Sequence, residues 1–185
     1  LLVLTPLGAF LFKALTLKVW LCLFSIAAFA LVGLLDDLRK LTNVKSKGIL
    51  ARYRLGAEFG VAILVTVLAV MTDSSTHAPA AWIGSGQWPM WAAIVLGVFT
   101  IVGGANAVNL TDGLDGLAIG CSIIVAGVYL LISYLAGNIK MASYLNLEYI
   151  RGSGELVIFL ASLIGAGLGF LWYNAHPAQV FMGDT

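Results

Sequence analysis

LKVWLCLFSIAAFALVGLLDDLRK, residues 17–40, stays apolar for the thickness of a bilayer and then closes on paired acids and paired bases. A helix rises about 1.5 Å per residue, so a run of roughly 20 apolar residues crosses the roughly 30 Å hydrocarbon core of a membrane. The run at 17–35 has that length, and charge-poor runs follow at 55–72, 90–108, 117–136 and 155–173. The expected fold is therefore an all-α polytopic membrane protein with five spanning helices, taken as a single transmembrane domain over 1–185. Composition agrees, because 61% of the residues are hydrophobic and 10% charged, whereas a soluble domain carries about 25% charged residues. Mean hydropathy is +1.00. A net charge of +1 excludes a global nucleic-acid footprint. The bilayer is the first partner implied, and no nucleic acid is expected. Cys22 and Cys121 lie inside apolar runs with no second Cys or His at ligand spacing, so both read as small packing residues rather than a disulfide or zinc site.

Four connections join the runs: 36–54, 73–89, 109–116 and 137–154. Arg39, Lys40, Lys45, Lys47, Arg52 and Arg54 put six of the ten basic residues into 36–54, while 73–89 has none. Basic loops stay on the cytoplasmic side. Alternation of five spans then returns 109–116 and the segment after Tyr173 to that side. Asp36, Asp37, Asp112, Asp115 and Asp184 thus all fall at cytoplasmic helix ends, although they are far apart in sequence. Ionisable groups at membrane depth are costly, so their repeated use near one surface points to a shared site. Carboxylates beside Lys and Arg suit a divalent cation with a phosphorylated substrate, since magnesium is commonly held by one or two carboxylates together with substrate phosphates.

In GLLDDLRK, residues 33–40, Lys40 follows Asp36 by four positions and shares its helical face. Lys40 would neutralise phosphate while a carboxylate holds metal or takes a proton. In NAVNLTDGLDGLA, residues 106–118, a polar residue recurs every third position and two glycines interrupt the helix. An N-cap role would explain Asp115 alone. Asn106, Asn109 and Asp112 as well suit hydrogen bonds to a base, ribose or sugar. The last segment, NAHPAQVFMGDT at 174–185, leaves a glycine-rich run through Pro177 and ends near Asp184; His176 reads as an interfacial or hydrogen-bonded histidine. Gly165-Ala166-Gly167-Leu168-Gly169 lies inside a span, so it is not a nucleotide loop; Ala161, Gly165 and Gly169 at four-residue spacing are expected to form a helix-packing face. Segment 137–154 alternates Leu145, Leu147 and Tyr149, which suits a short strand or an interfacial helix alike.

DDLRK at 36–40, NAVNLTDGLDGLA at 106–118 and NAHPAQVFMGD at 174–184, in this order, resemble the polyprenyl-phosphate N-acetylhexosamine-1-phosphate transferases. KSKGILARYR, ASYLNLEYIRGSGELV and GAGLGFLWYN are similar to the branch that transfers phospho-N-acetylmuramoyl-pentapeptide. The resemblance implies magnesium-dependent transfer from UDP-N-acetylmuramoyl-pentapeptide to undecaprenyl phosphate, giving lipid I and UMP in peptidoglycan synthesis. It implies a bacterial inner-membrane enzyme of roughly ten helices, a homodimer, with its active site on the cytoplasmic face. Residue by residue, it implies that Asp36 and Asp37 deprotonate or orient the lipid phosphate and that Asp184 binds the metal. Lys40, Asn109, Asp112, Asp115 and Asn174 match positions linked to the active site or to the uridine donor, and Asn106 joins them as a substrate-binding residue. Direct attack by the lipid phosphate and a covalent aspartyl intermediate both stay open.

The first residue is not Met, the chain opens inside an apolar run, and it stops just past Gly183-Asp184, so a fragment of the family fold, inactive by itself, is expected. A sister transferase using UDP-N-acetylglucosamine shares the acidic motifs. A cation-coupled transporter also places carboxylates in a membrane, though near the midplane rather than at one surface. A non-catalytic paralogue acting through interactions is the remaining reading.

Overall fold

The computed structural model describes residues 5, 16–42, 50–72 and 89–182. Their regular structure is helical throughout: α1 Leu17–Thr42, α2 Ala51–Thr72, α3 Met90–Thr111, α4 Leu117–Gly137, the short α5 Ile139–Tyr144, and α6 Leu156–Asn174. All except α5 are long and apolar enough to cross a membrane. Large apolar side chains such as Ile124, Val128 and Leu131 stand exposed along one stripe of α4, the arrangement of a helix whose solvent is lipid. Three hydroxyls within the apolar helices fold back on their own backbone: Thr100 donates to the Leu96 carbonyl at 2.7 Å, Ser122 to Ala118 at 2.8 Å and Ser162 to Ile158 at 2.8 Å. No water is then needed to satisfy them.

The helices outrun the apolar stretches that predict them. α1 continues through Asp36, Asp37, Arg39 and Lys40, and α2 starts at Ala51, so much of the expected 36–54 connection is helical. The basic residues Arg39 and Lys40 occupy the last turns of α1, where cations favour the negative end of the helix dipole. α3 likewise runs to Thr111, so Asn109 is helical rather than part of a loop.

The chain divides into two compact units. In the unit that spans Phe24–Asn109, α2 and α3 pack through buried Ala62, Val98 and Val102, flanked by Phe59, Ile94 and Ile101. Phe59 and Phe99 meet edge to face at 6.1 Å. The other unit joins Leu110–Met182 to the start of α1, whose Lys18 Nζ donates to the Arg151 carbonyl at 2.9 Å. Its main packing is α4 on α6. Gly167 carries that contact, since a Cβ there would lie 2.9 Å from Ile123 Cγ1 and 3.4 Å from Ile119 Cδ1. The expected face of Ala161, Gly165 and Gly169 does not do so: a Cβ on either of those glycines would meet no described atom within 4 Å. Glycines 165 and 169 are offset by two residues from Gly167, about 200° around the helix, and so sit on the opposite side.

Segment 137–154 resolves into α5 and turns. Asn138 caps α5, its Oδ1 accepting from the backbone of Lys140 at 3.0 Å and Met141 at 3.3 Å. Asn146 then takes a left-handed φ of 53°, which breaks the alternation of Leu145, Leu147 and Tyr149 and leaves no strand among the described residues.

Candidate active site

The end of α1 carries the first polar cluster. Asp36 faces inward with 5% of its side chain exposed, while Asp37, one position on, is 28% exposed. Lys40 bridges both acids, with Nζ 2.8 Å from Asp36 Oδ2 and 3.6 Å from Asp37 Oδ1. Arg54 of α2 approaches the same Asp36 oxygen, its Nη1 lying 3.9 Å away. A closer partner holds that guanidinium: Arg54 Nε donates to Glu58 Oε1 at 3.2 Å, one helical turn on. Glu58 is itself buried, and its second oxygen accepts from Asn106 Nδ2 of α3 at 2.6 Å. The remaining hydrogen of that amide goes to the Val102 carbonyl at 2.9 Å. Turning the carboxamide over would set its oxygen against two acceptors, so the orientation follows from the network. Beside the cluster lies a cavity of about 400 Å³ with apolar walls of Val32, Leu35 and Ala57 and with Arg39, Tyr53 and Arg54 around it. Arg52 stacks over the Tyr53 ring at 5.0 Å.

The second cluster ties the turn before α4 to the segment after α6. Gly116 opens α4 with a left-handed φ of 76°, and no side chain caps that helix. Asp115 is therefore not the N-cap; its Oδ2 accepts from the Ala178 backbone at 3.2 Å and lies 3.3 Å from His176 Nδ1. Asn174, buried at 3% exposure, works on both sides of the clasp. Its Oδ1 accepts from the Gly116 N–H at 3.0 Å and its Nδ2 donates to the Val180 carbonyl at 2.9 Å.

The family model of glycosyl transferase family 4 covers residues 19–185. The chain belongs to glycosyl transferase family 4. It is also 49% identical, over 169 residues, to a protein of Syntrophus aciditrophicus (strain SB) named phospho-N-acetylmuramoyl-pentapeptide-transferase. That alignment takes in 90% of this chain and 47% of the relative, so the chain spans about half the length of the curated relative it matches. Membership of this family does not fit the cation-coupled transporter reading.

Within this family 4 chain, the residues expected to form the site fall into three groups. Asp36, Asp37 and Lys40 come together at one helix end. Asn109 and Asp112 are exposed at the end of α3 and in the turn beyond it. Asn106 and Asn174 were expected to bind substrate, yet Asn106 spends both amide hydrogens on Glu58 and Val102, and Asn174 is engaged by Gly116 and Val180. Asp184, the expected metal ligand, lies outside the described residues. Among the described residues no three of His, Cys, Asp and Glu gather as a metal cage. Arg54 and Glu58 were not among the expected residues. The signal for them was present in ARYRLGAEFG, as a base and an acid four apart and an acid just inside an apolar run.

Proposed function

We propose that this chain is part of an enzyme that transfers phospho-N-acetylmuramoyl-pentapeptide from its UDP donor to undecaprenyl phosphate in a bacterial inner membrane. The 49% identity to the Syntrophus protein of that name carries the reading. In the reaction, a terminal oxygen of undecaprenyl phosphate attacks the phosphorus that bears the muramoyl sugar. The bond from that phosphorus to the bridging oxygen breaks, and UMP leaves with the electron pair. Such a step calls for charge neutralisation and in-line placement more than for a strong base.

The end of α1 supports this chemistry. Lys40 is 41% exposed and held by two carboxylates, so its ammonium is oriented and still reachable by phosphate. Asp37 is the more open of the paired acids and suits contact with the lipid phosphate; the buried Asp36 suits holding Lys40 in place. Asp115 keeps its turn folded against 174–180 and leaves Oδ1 for the nucleotide donor. The hard oxygen donors fit magnesium, which takes one or two carboxylates plus substrate phosphates, and Asp184 would hold it. When bound, the ion supplies neutralisation of the diphosphate charge. The site is read as cytoplasmic from the basic residues flanking α1 and α2, and the working enzyme as a homodimer. By itself the 185-residue chain is expected to be inactive.

Donor competition tests the assignment. With the protein expressed from its complete reading frame, unlabelled UDP-N-acetylmuramoyl-pentapeptide should suppress formation of labelled lipid product, and UDP-N-acetylglucosamine should not. Suppression by the acetylglucosamine donor alone would move the chain to the sister branch.

A further inference from the structure

Two cations compete for one oxygen. Lys40 Nζ lies 2.8 Å from Asp36 Oδ2, and Arg54 Nη1 lies 3.9 Å from the same atom, an ion-pair distance but beyond a hydrogen bond. Asp36 is nearly sealed from water, so an oxygen there interacts strongly with whichever cation reaches it. Guanidinium is the better match for a carboxylate, because its planar fork can donate two parallel hydrogen bonds. What keeps Arg54 from taking Asp36 is therefore the question the cluster poses.

We propose that Glu58 is a positioning residue that holds Arg54 back and leaves Asp36 Oδ2 to orient Lys40; this rests on the transfer reaction proposed above. Glu58 binds Arg54 Nε at 3.2 Å and is anchored on its far side by Asn106, whose amide is fixed in turn by the Val102 carbonyl. The line Asn106–Glu58–Arg54–Asp36–Lys40 thus runs from α3 through α2 to the end of α1 inside one unit. Three of its members, Glu58, Arg54 and Asn106, need not touch substrate to matter. With the Glu58 charge removed, Arg54 closes on Asp36, and Lys40 loses the closer of its two carboxylates and keeps only the longer contact to Asp37. Removing Arg54 as well takes away the competitor and gives Asp36 back to Lys40.

That logic makes an unusual prediction for steady-state kinetics of UMP release by the protein from its complete reading frame in detergent, with undecaprenyl phosphate, magnesium and UDP-N-acetylmuramoyl-pentapeptide. Glu58→Gln preserves shape and the contact to Asn106, and should lower kcat about tenfold with donor KM within about twofold. Arg54→Gln alone should cost about threefold in kcat, and the double variant Arg54→Gln/Glu58→Gln should recover to about that level, a strongly non-additive pair. A merely structural role predicts the reverse, a double variant worse than either single one. Parental kcat in Glu58→Gln, or additive losses in the double variant, would overturn the positioning role and leave the reaction untouched. Absence of UMP release from the unsubstituted protein would overturn the reaction reading, and the positioning role with it.

Discussion

The two polar clusters solve different problems. At the end of α1, full charges sit on two helices and are neutralised by one another across Asp36, Lys40, Arg54 and Glu58. In the clasp, Asp115 and Asn174 bind chiefly backbone groups, the N–H of Gly116 and Ala178 and the carbonyl of Val180. The first arrangement fixes the direction of a charge, and the second fixes the path of a chain. In the proposed reaction, Lys40 would be aimed at phosphate by neighbours carried on helices, whereas the clasp shapes a turn in which Asp115 is 29% exposed.

Substitutions can break this contrast. The largest loss of stability is expected from Glu58→Ala, which empties a buried position and takes the shared carboxylate from the half-buried Arg54 guanidinium and the Asn106 amide at once. Removing one partner of a buried pair costs about 3–5 kcal/mol, and thermal unfolding in detergent should register a loss of that order. Asn174→Ala comes next, because the Gly116 N–H and the Val180 carbonyl lose their partners together. Both groups are only partly buried, so the cost falls at the low end of the range for an orphaned group, about 1 kcal/mol, and hydrogen exchange at Gly116 should accelerate in that variant while exchange at the end of α1 stays unchanged.

Gly116→Ala sharpens the same point, since a left-handed residue costs roughly 1–2 kcal/mol once it carries a Cβ and the new atom would lie 3.2 Å from Leu171 Cδ1. Combined with Asn174→Ala, its effect on the unfolding midpoint should be less than additive, because both act on one hydrogen bond. The smallest effect belongs to His176→Ala. Its side chain is 85% exposed beside Asp115, and exposed pairs contribute about 0–1 kcal/mol, so unfolding should shift only slightly while Ala178 keeps its bond to Asp115. A large shift there would make the clasp resemble the α1 cluster, and the contrast would fail.

The contrast also explains what the sequence made legible. The presence of five long apolar helices and the Asp36–Lys40 spacing are local properties of the sequence, and both are found as expected, with Nζ and Oδ2 2.8 Å apart. The acids and amides of NAVNLTDGLDGLA look alike in sequence, yet Asn106 turns into the helix pair while Asp112 stays exposed. That difference depends on which helix passes beside each residue, and no local pattern records it. Glu58 shows in sequence as an acid just inside an apolar run, but its role depends on Arg54 and on Asn106 of α3, and no local pattern records the second of these. The helix-packing face was off by two positions, because glycines 165, 167 and 169 all suit close approach and only the position of Ile119 and Ile123 selects Gly167.

The central claim is tested most directly by UMP release from the protein of the complete reading frame in detergent, with undecaprenyl phosphate and magnesium, offering the two UDP-sugar donors separately. The account predicts release with UDP-N-acetylmuramoyl-pentapeptide, none with UDP-N-acetylglucosamine, and loss of release on adding a chelator or substituting Asp184→Asn. Release with neither donor, or release that persists without magnesium, would contradict it.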